Sequence, residues 1–177
     1  MGESPGIGEI LCTVPRPLET MWKTCRTVAA APSEILHVLT HEDAIRRWSP
    51  VDFELDGHAG GRLRSGDRAR VQGRVAGIGV GFDVEVTKAE GATLELFAHG
   101  PIDIDVRYGI GGCSEGSCVE AAVDVSGGRG MTGRVVATTV RALLAAGALD
   151  SALGRIAAEV EPAGATDGAT AGELALA

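Results

Sequence analysis

Tyr108, the only tyrosine of the chain, has the clearest potential for chemistry. It lies in the stretch 102–110, where apolar and charged residues alternate, so its side chain is predicted to share the apolar face of a strand. A phenol on such a face can donate a hydrogen bond to a carbonyl oxygen or act on it as a general acid. In the alternative interpretation Tyr108 is an amphipathic core residue whose hydroxyl reaches the rim of the core.

Five arginines form a second cluster along the chain, namely Arg62, Arg64, Arg68, Arg70 and Arg74. Between 68 and 75 polar residues alternate with apolar ones, so the arginines of this stretch are predicted to share the polar face of the strands with acidic residues. This arrangement predicts a solvated lattice of cross-strand ion pairs, each of which contributes little to stability.

Histidines and cysteines give weaker signals. His37 and His41 have a spacing that suits a metal on a helix, but no HExxH motif or third ligand accompanies them, so surface or capping roles are expected and no metal is predicted. Cys113 and Cys118 flank a turn and would face each other across a hairpin. Free thiols are expected there, with a disulfide as the alternative. No paired CxxC motif indicates zinc.

The composition excludes several classes of partner. The chain has 177 residues, with 16 Lys and Arg against 24 Asp and Glu and a formal net charge of -8. This acidic balance disfavours nucleic acid and anionic membranes. No apolar run reaches the roughly 18 residues of a membrane span, and the N-terminus lacks the features of a signal peptide. We therefore expect a cytoplasmic protein without stable membrane insertion, and no motif predicts a cofactor.

Changes in hydrophobic period define the elements that position these residues. After an irregular lead-in over 1–17, an extended run over 18–30 precedes two short helices, the first introduced by Pro32 and the second closed by Pro50. Six alternating runs between 51 and 125 predict an antiparallel meander. Apolar residues at three- and four-residue steps from 131 to 160 predict one helix about 45 Å long. Residues 162–177 are predicted to form a disordered tail.

A sheet with one apolar face needs a cover, and the C-terminal helix is the predicted one. Small residues on its predicted contact face would leave volume for a ligand opposite a curved sheet, whereas a closed, filled core is the alternative. Trp48, where the second helix meets the sheet, is interpreted as a lid or stacking surface or as a core anchor. The predicted ligand-lining residues are Trp48, Phe53, Val71, Val75, Val80, Phe82, Val84, Leu96, Ile104, Val106, Tyr108, Val123, Val135, Thr139 and Ala142.

The order of strand, two short helices, six-strand meander and long helix resembles the helix-grip fold of the START, Bet v 1 and polyketide cyclase/dehydratase superfamily. The residues that carry the resemblance are Arg26-Thr27-Val28, the segment 31–36, Trp48-Ser49-Pro50 and the segment 147–153. The resemblance covers about 18–161 and implies one α+β domain. It also implies a cavity for lipids, sterols, quinones or polyketide chains.

The resemblance further implies a candidate for catalysis. Aromatase and cyclase relatives use a cavity arginine to polarise a polyketide carbonyl, and Arg70 or Arg74 would take this role if a bulge at Gly73 or Gly77 turned one of them inward. Two functions remain open at this point. One is a cyclase or dehydratase acting on a polyketide-like intermediate, with Tyr108 as a further catalytic candidate. The other is a non-catalytic carrier or sequestering protein for a quinone, lipid or toxic metabolite. The expected partner is a hydrophobic small molecule, and the sequence does not indicate an oligomeric state.

Overall fold

The computed structural model describes residues 21–49, 60–75 and 77–161, together with the backbone of 53–56. The predicted lead-in, the start of the first predicted strand at 18–20, the side chain of Phe53 and the predicted tail lie outside the described residues. In chain order the elements are β1 (Trp22–Val28), α1 (Pro32–Thr40), α2 (Glu42–Trp48), β2 (Phe53–Asp56), β3 (Arg68–Val75), β4 (Ile78–Glu90), β5 (Thr93–His99), β6 (Asp103–Cys113), β7 (Gly116–Ser126), α3 (Gly130–Ala145) and α4 (Ala148–Val160).

The seven strands form one antiparallel sheet in the order β1-β7-β6-β5-β4-β3-β2. The predicted α+β architecture, with about seven strands and two short helices after the first, is therefore confirmed. Because side chains alternate along a strand, the register places apolar residues on one face, which the helices cover, and charged residues on the other. We call these the concave and the convex face. A register shift between Val86 and Lys88 keeps Ala89 opposite Leu94 on the concave face.

The two short helices follow the local signals in the sequence. Pro32 opens α1, and the Glu34 carboxylate accepts a 2.8 Å hydrogen bond from the Ala31 backbone N–H, which satisfies a donor at the helix start. The second helix ends at Trp48, as predicted. Together with α4 these helices cover one end of the concave face. The fully buried core there includes Ile35, Leu39, Val119, Leu153 and Ile156.

The predicted single C-terminal helix is wrong. The chain forms α3 and α4, which meet at an angle of 60°. Gly147 stands at the break with φ 90°, a conformation that favours glycine, and its N–H donates to the Leu144 carbonyl at 3.1 Å.

In the described part of the chain no single helix is long and apolar enough to cross a membrane. Only the bent pair of α3 and α4 meets that length and composition.

Candidate functional site

Tyr108 lies on β6, opposite Leu94 of β5 and Ala121 of β7, with its side chain on the concave face as predicted. It is 4% exposed. Its ring packs edge-on against that of Trp48, with centroids 6.1 Å apart and an interplanar angle of 75°. The indole N–H of Trp48 donates to the Val38 carbonyl at 3.2 Å, which fixes the tryptophan at the end of α2. Trp48 is thus a buried neighbour of Tyr108.

The hydroxyl of Tyr108 has no hydrogen-bond partner among the described residues. Burial raises the pKa of Tyr108 well above the ordinary value of a tyrosine, because desolvation disfavours the phenolate. The group is therefore a neutral phenol at physiological pH. The hydroxyl oxygen is not among the fully buried atoms that lack a partner, so it keeps a little solvent contact, and this donor is available to a bound molecule that carries an acceptor.

Burial changes along the concave face. Near α1, α2 and α4 its residues are fully buried, as at Leu94 and Val119. Further along the strands the apolar side chains remain partly exposed although α3 lies on the same side of the sheet. The partly exposed members of the predicted lining are Val71, Val75, Phe82, Val84, Leu96, Ile104 and Val106, whereas Val80 and Val123 are buried. Hydrocarbon surface thus remains accessible beside Tyr108 and beneath α3.

The predicted contact face of α3 is wrong. Val135 is 47% exposed and Ala142 is also exposed, while Thr139 is only partly buried. Val136 and Ala137 are buried instead. With 3.6 residues per turn, Val135 and Ala142 lie on the side of the helix opposite to this buried pair.

Two residues that the sequence analysis missed continue the buried side of α3. Val140 and Leu144 follow Val136 and Ala137 at helical spacing and pack, partly buried, against the core. The partly exposed sheet residues Phe82, Leu96 and Val106 pack against the same core. The spacing 133, 136, 137, 140 and 144 was present in the sequence, but the other side of α3 is apolar too, so periodicity alone did not decide between them.

A close backbone approach fixes the N-terminus of α3. A Cβ on Gly133 would lie 2.6 Å from the Pro101 carbonyl oxygen and 2.8 Å from the carbonyl carbon of Gly128, so only glycine fits there. The Arg129 N–H donates to the same Pro101 carbonyl at 3.2 Å. Helix α3 is thus held at the β5–β6 turn at one end and ends at Gly147 at the other.

Arg70 and Arg74 do not reach the concave face. Their strand pairs with β4 in an unbroken register from Arg68 to Val75, so no bulge turns either side chain inward. Arg70 forms an ion pair with Asp83 at 3.1 Å on the convex face, and Arg74 is exposed. The expectation that one of them lies in a cavity is wrong, because strict alternation holds along the whole strand.

The arginines of β3 instead form the predicted cross-strand lattice. Arg68 pairs with Glu85 at 3.1 Å, beside the pair of Arg70 with Asp83, and both pairs are largely solvent-exposed. An open groove of about 470 Å³ follows these side chains on the convex face, and Phe97 and His99 also line it. The ionic groups of this groove are already paired, and it lies across the sheet from Tyr108.

The histidines and cysteines are placed as follows. His37 is exposed, and its ring lies 5.0 Å from that of His41. Within the described ranges, no three His, Cys, Asp or Glu side chains are grouped so that they could hold a metal ion. Cys113 and Cys118 are free thiols, and they are not opposite each other, since Cys113 pairs with Gly116.

Solved structures of other proteins share the helix-grip fold predicted above. A START superfamily protein from Mycobacterium smegmatis superposes with a TM-score of 0.56 and 17% identity, covering 79% of this chain and 96% of that chain. The structure of Ara h 8.0201 gives a TM-score of 0.55 at 12% identity, with coverage of 79% and 96%. These similarities establish the fold.

DynU16, a protein in the dynemicin biosynthetic locus, has the same fold, with a TM-score of 0.54 and 21% identity. The alignment covers 80% of this chain but 47% of DynU16. No family model matches the chain, and no curated protein matches it in sequence.

Proposed function

We propose that this protein binds a hydrophobic small molecule between α3 and the concave face and that the hydroxyl of Tyr108 donates a hydrogen bond to it. The observation that carries the proposal is the phenol of Tyr108, which has no hydrogen-bond partner among the described residues and lies on a face that otherwise consists of hydrocarbon. A ligand with an acceptor at the right position satisfies this donor, and its apolar part covers the accessible residues beside it.

The energetics favour a largely apolar ligand. Burying about 300 Å² of apolar ligand surface contributes ~7 kcal/mol at ~25 cal/mol per Å², before the cost of association. One hydrogen bond from Tyr108 adds about 1 kcal/mol, so it orients the ligand more than it holds it. The charged groups of β3 and β4 lie on the other face and make no contribution.

A polyketide-like biosynthetic intermediate fits this chemistry best. Such a chain combines hydrocarbon with regularly placed carbonyl oxygens, the acceptors that a neutral phenol recognises. The fold shared with a protein in the dynemicin biosynthetic locus supports this class. By holding the chain folded and excluding water, the protein would promote cyclisation or dehydration, with Tyr108 polarising one carbonyl.

A non-catalytic carrier or sequestering protein for a quinone, lipid or toxic metabolite is the second candidate. One observation favours it: within the described residues, Tyr108 is the only titratable side chain on the concave face of β3 to β7. No base there is positioned to take a proton from a ligand. Binding is common to both candidates, and turnover separates them.

The experiment uses tryptophan fluorescence. The chain has two tryptophans, so Trp22→Phe leaves Trp48, next to Tyr108, as the sole indole. This variant is titrated with a polyhydroxylated anthraquinone, a long-chain fatty acid and a sterol. Saturable change in Trp48 emission with the anthraquinone is expected, and absence of binding by all three probes contradicts the proposal.

Two variants of α3 provide the matched control. Val140→Phe places a larger side chain in the proposed site, whereas Ala142→Phe adds a ring on the exposed side of the same helix. Val140→Phe should weaken binding at least tenfold, and Ala142→Phe should leave it unchanged. Incubation with a linear poly-β-ketone substrate, followed by product analysis, then decides between the enzyme and the carrier.

A further inference from the structure

Three thiols lie together on the convex face, away from the proposed ligand site. Cys118 of β7 pairs with Gly111 of β6 on one side and with Thr27 of β1 on the other. Two residues along the neighbouring strands, on the same face, are Cys113 and Cys25. The thiols thus form a diagonal row across three adjacent strands.

The two outer thiols differ in their place in the sheet. Cys25 is exposed and lies in β1, at the edge of the sheet, whereas Cys113 lies at the end of β6, where the hairpin pairs it with Gly116. Burial and the neighbouring Cys25 thiol raise the pKa of the Cys118 thiol. Cys25 and Cys118 are therefore a diagonal pair, made of an accessible sulfur on an edge strand and a more protected sulfur on the next strand.

We propose that Cys25 and Cys118 form a reversible disulfide when the protein meets a hydroperoxide. The exposed Cys25 sulfur attacks the peroxide O–O bond and becomes a sulfenic acid, while the peroxide leaves as an alcohol or as water. The Cys118 sulfur then attacks the sulfenic sulfur, and the S–O bond breaks with release of water. Two thiols and one hydroperoxide thus give one disulfide, one alcohol or water, and one further water.

The position of the pair in the sheet explains why the bond is reversible. Diagonal Cα atoms on neighbouring strands are about 7–8 Å apart, just beyond the roughly 6.8 Å that a relaxed disulfide spans. Cys25 must therefore approach, and it can do so because β1 lies at the edge of the sheet formed by the described strands and pairs there with β7. A bond formed in this way is strained and exposed, and such disulfides are readily reduced.

Oxidation would restrain β1, the strand that packs against α4. The Thr24 hydroxyl donates to Asp150 of α4 at 3.3 Å, and the Ala29 N–H donates to Glu161 at 3.3 Å. A covalent link from β1 to β7 therefore also restrains α4, which packs against β1. The expected readout is a higher melting temperature for the oxidised protein.

The test is to treat the full chain with hydrogen peroxide and to map its cross-links by mass spectrometry without reductant. The expected product is monomeric, has lost two thiols and contains a Cys25–Cys118 peptide pair. Dithiothreitol should restore both thiols and the original melting temperature. Cys25→Ser and Cys118→Ser should prevent the cross-link, whereas the matched variants Cys12→Ser and Cys113→Ser should retain it.

Several results would overturn the proposal. These are a Cys113–Cys118 link, a link to Cys12, an intermolecular dimer, or oxidation of Cys25 to sulfinic acid without a cross-link. Melting curves of the reduced variants identify any that fail to fold, and the unsubstituted chain still yields the peptide map in that case. The outcome does not depend on whether the protein binds a hydrophobic ligand.

Discussion

The ring of Trp48 meets the ring of Tyr108 edge-on, with their centroids 6.1 Å apart. This contact joins the end of α2 to the middle of β6 and closes one end of the concave face. The indole N–H of Trp48 donates to the Val38 carbonyl, so it does not donate a hydrogen bond to the hydroxyl oxygen of Tyr108. The hydroxyl of Tyr108 thus has no hydrogen-bond partner among the described residues, and the fluorescence of the adjacent Trp48 can report changes around it.

Tyr108→Phe separates the contribution of the hydroxyl to stability from its contribution to binding. Because the hydroxyl has no partner among the described residues, its removal should leave the free energy of unfolding within about 1 kcal/mol of the original value. The affinity for a carbonyl-bearing ligand should fall about two- to tenfold, the worth of one hydrogen bond. Urea unfolding and fluorescence titration measure the two effects. A ligand without an acceptor is the control, and an equal loss of affinity for that ligand contradicts the role assigned to the hydroxyl.

Alkaline pH should destabilise the protein through Tyr108. Burial raises the pKa of this phenol in the folded state, while in the unfolded chain it titrates near its ordinary value of about 10. Its contribution to stability is therefore complete below pH ~10. Above that pH the unfolded chain releases a proton that the folded chain keeps, so the stability falls by about 1.4 kcal/mol per pH unit.

The measurement is urea unfolding at several alkaline pH values, with Tyr108→Phe as the control that lacks the group. The variant should show a shallower loss of stability than the unsubstituted chain. Since Tyr108 is the only tyrosine, the ultraviolet absorbance of tyrosinate reports its titration directly. Appearance of tyrosinate near pH 10 in the folded protein would show that the phenol is solvated.

The strands could be predicted from the sequence because apolar and polar residues alternate strictly along each of them. Such an alternation fits only one assignment of the side chains to the two faces of the sheet. Arg70 and Asp83 illustrate this, since their positions in two separate runs already predicted a shared polar face, and the register pairs them directly. The resemblance to cyclases suggested an inward arginine at the same place. The physical pattern and the resemblance disagreed, and the structure agrees with the pattern.

The orientation of α3 could not be predicted in this way. Val135 and Val136 are neighbours of the same type, yet one is 47% exposed and the other 1%. The helix is apolar on nearly all sides, so two stripes fitted the helical period equally well. The close approach of Gly133 to Pro101 determines which side of α3 faces the sheet. Such a long-range backbone contact leaves no periodic signal in the sequence.

Arg70→Ala tests the assignment of the arginine lattice to the outside of the sheet. The ion pair with Asp83 is solvent-exposed, so its loss should change the free energy of unfolding by less than about 1 kcal/mol. Ligand affinity and any turnover should stay the same, because the side chain lies across the sheet from Tyr108. Thermal melting and fluorescence titration check both statements. A large loss of affinity with an unchanged melting temperature would mean that Arg70 reaches the ligand.

Two glycines near the bend between α3 and α4 should respond to alanine in opposite directions. Gly147 has φ 90° and ends α3, so Gly147→Ala forces an L-residue into a left-handed conformation and should destabilise the protein by about 1–2 kcal/mol. Gly154 lies inside α4, where an added Cβ would meet the Arg26 guanidinium at an ordinary 3.5 Å. Gly154→Ala should therefore stabilise the protein by up to about 1 kcal/mol through helix propensity. Urea unfolding of the two variants side by side provides the comparison. If Gly147→Ala were also stabilising, α3 and α4 would form one continuous helix in solution and the bend would be absent.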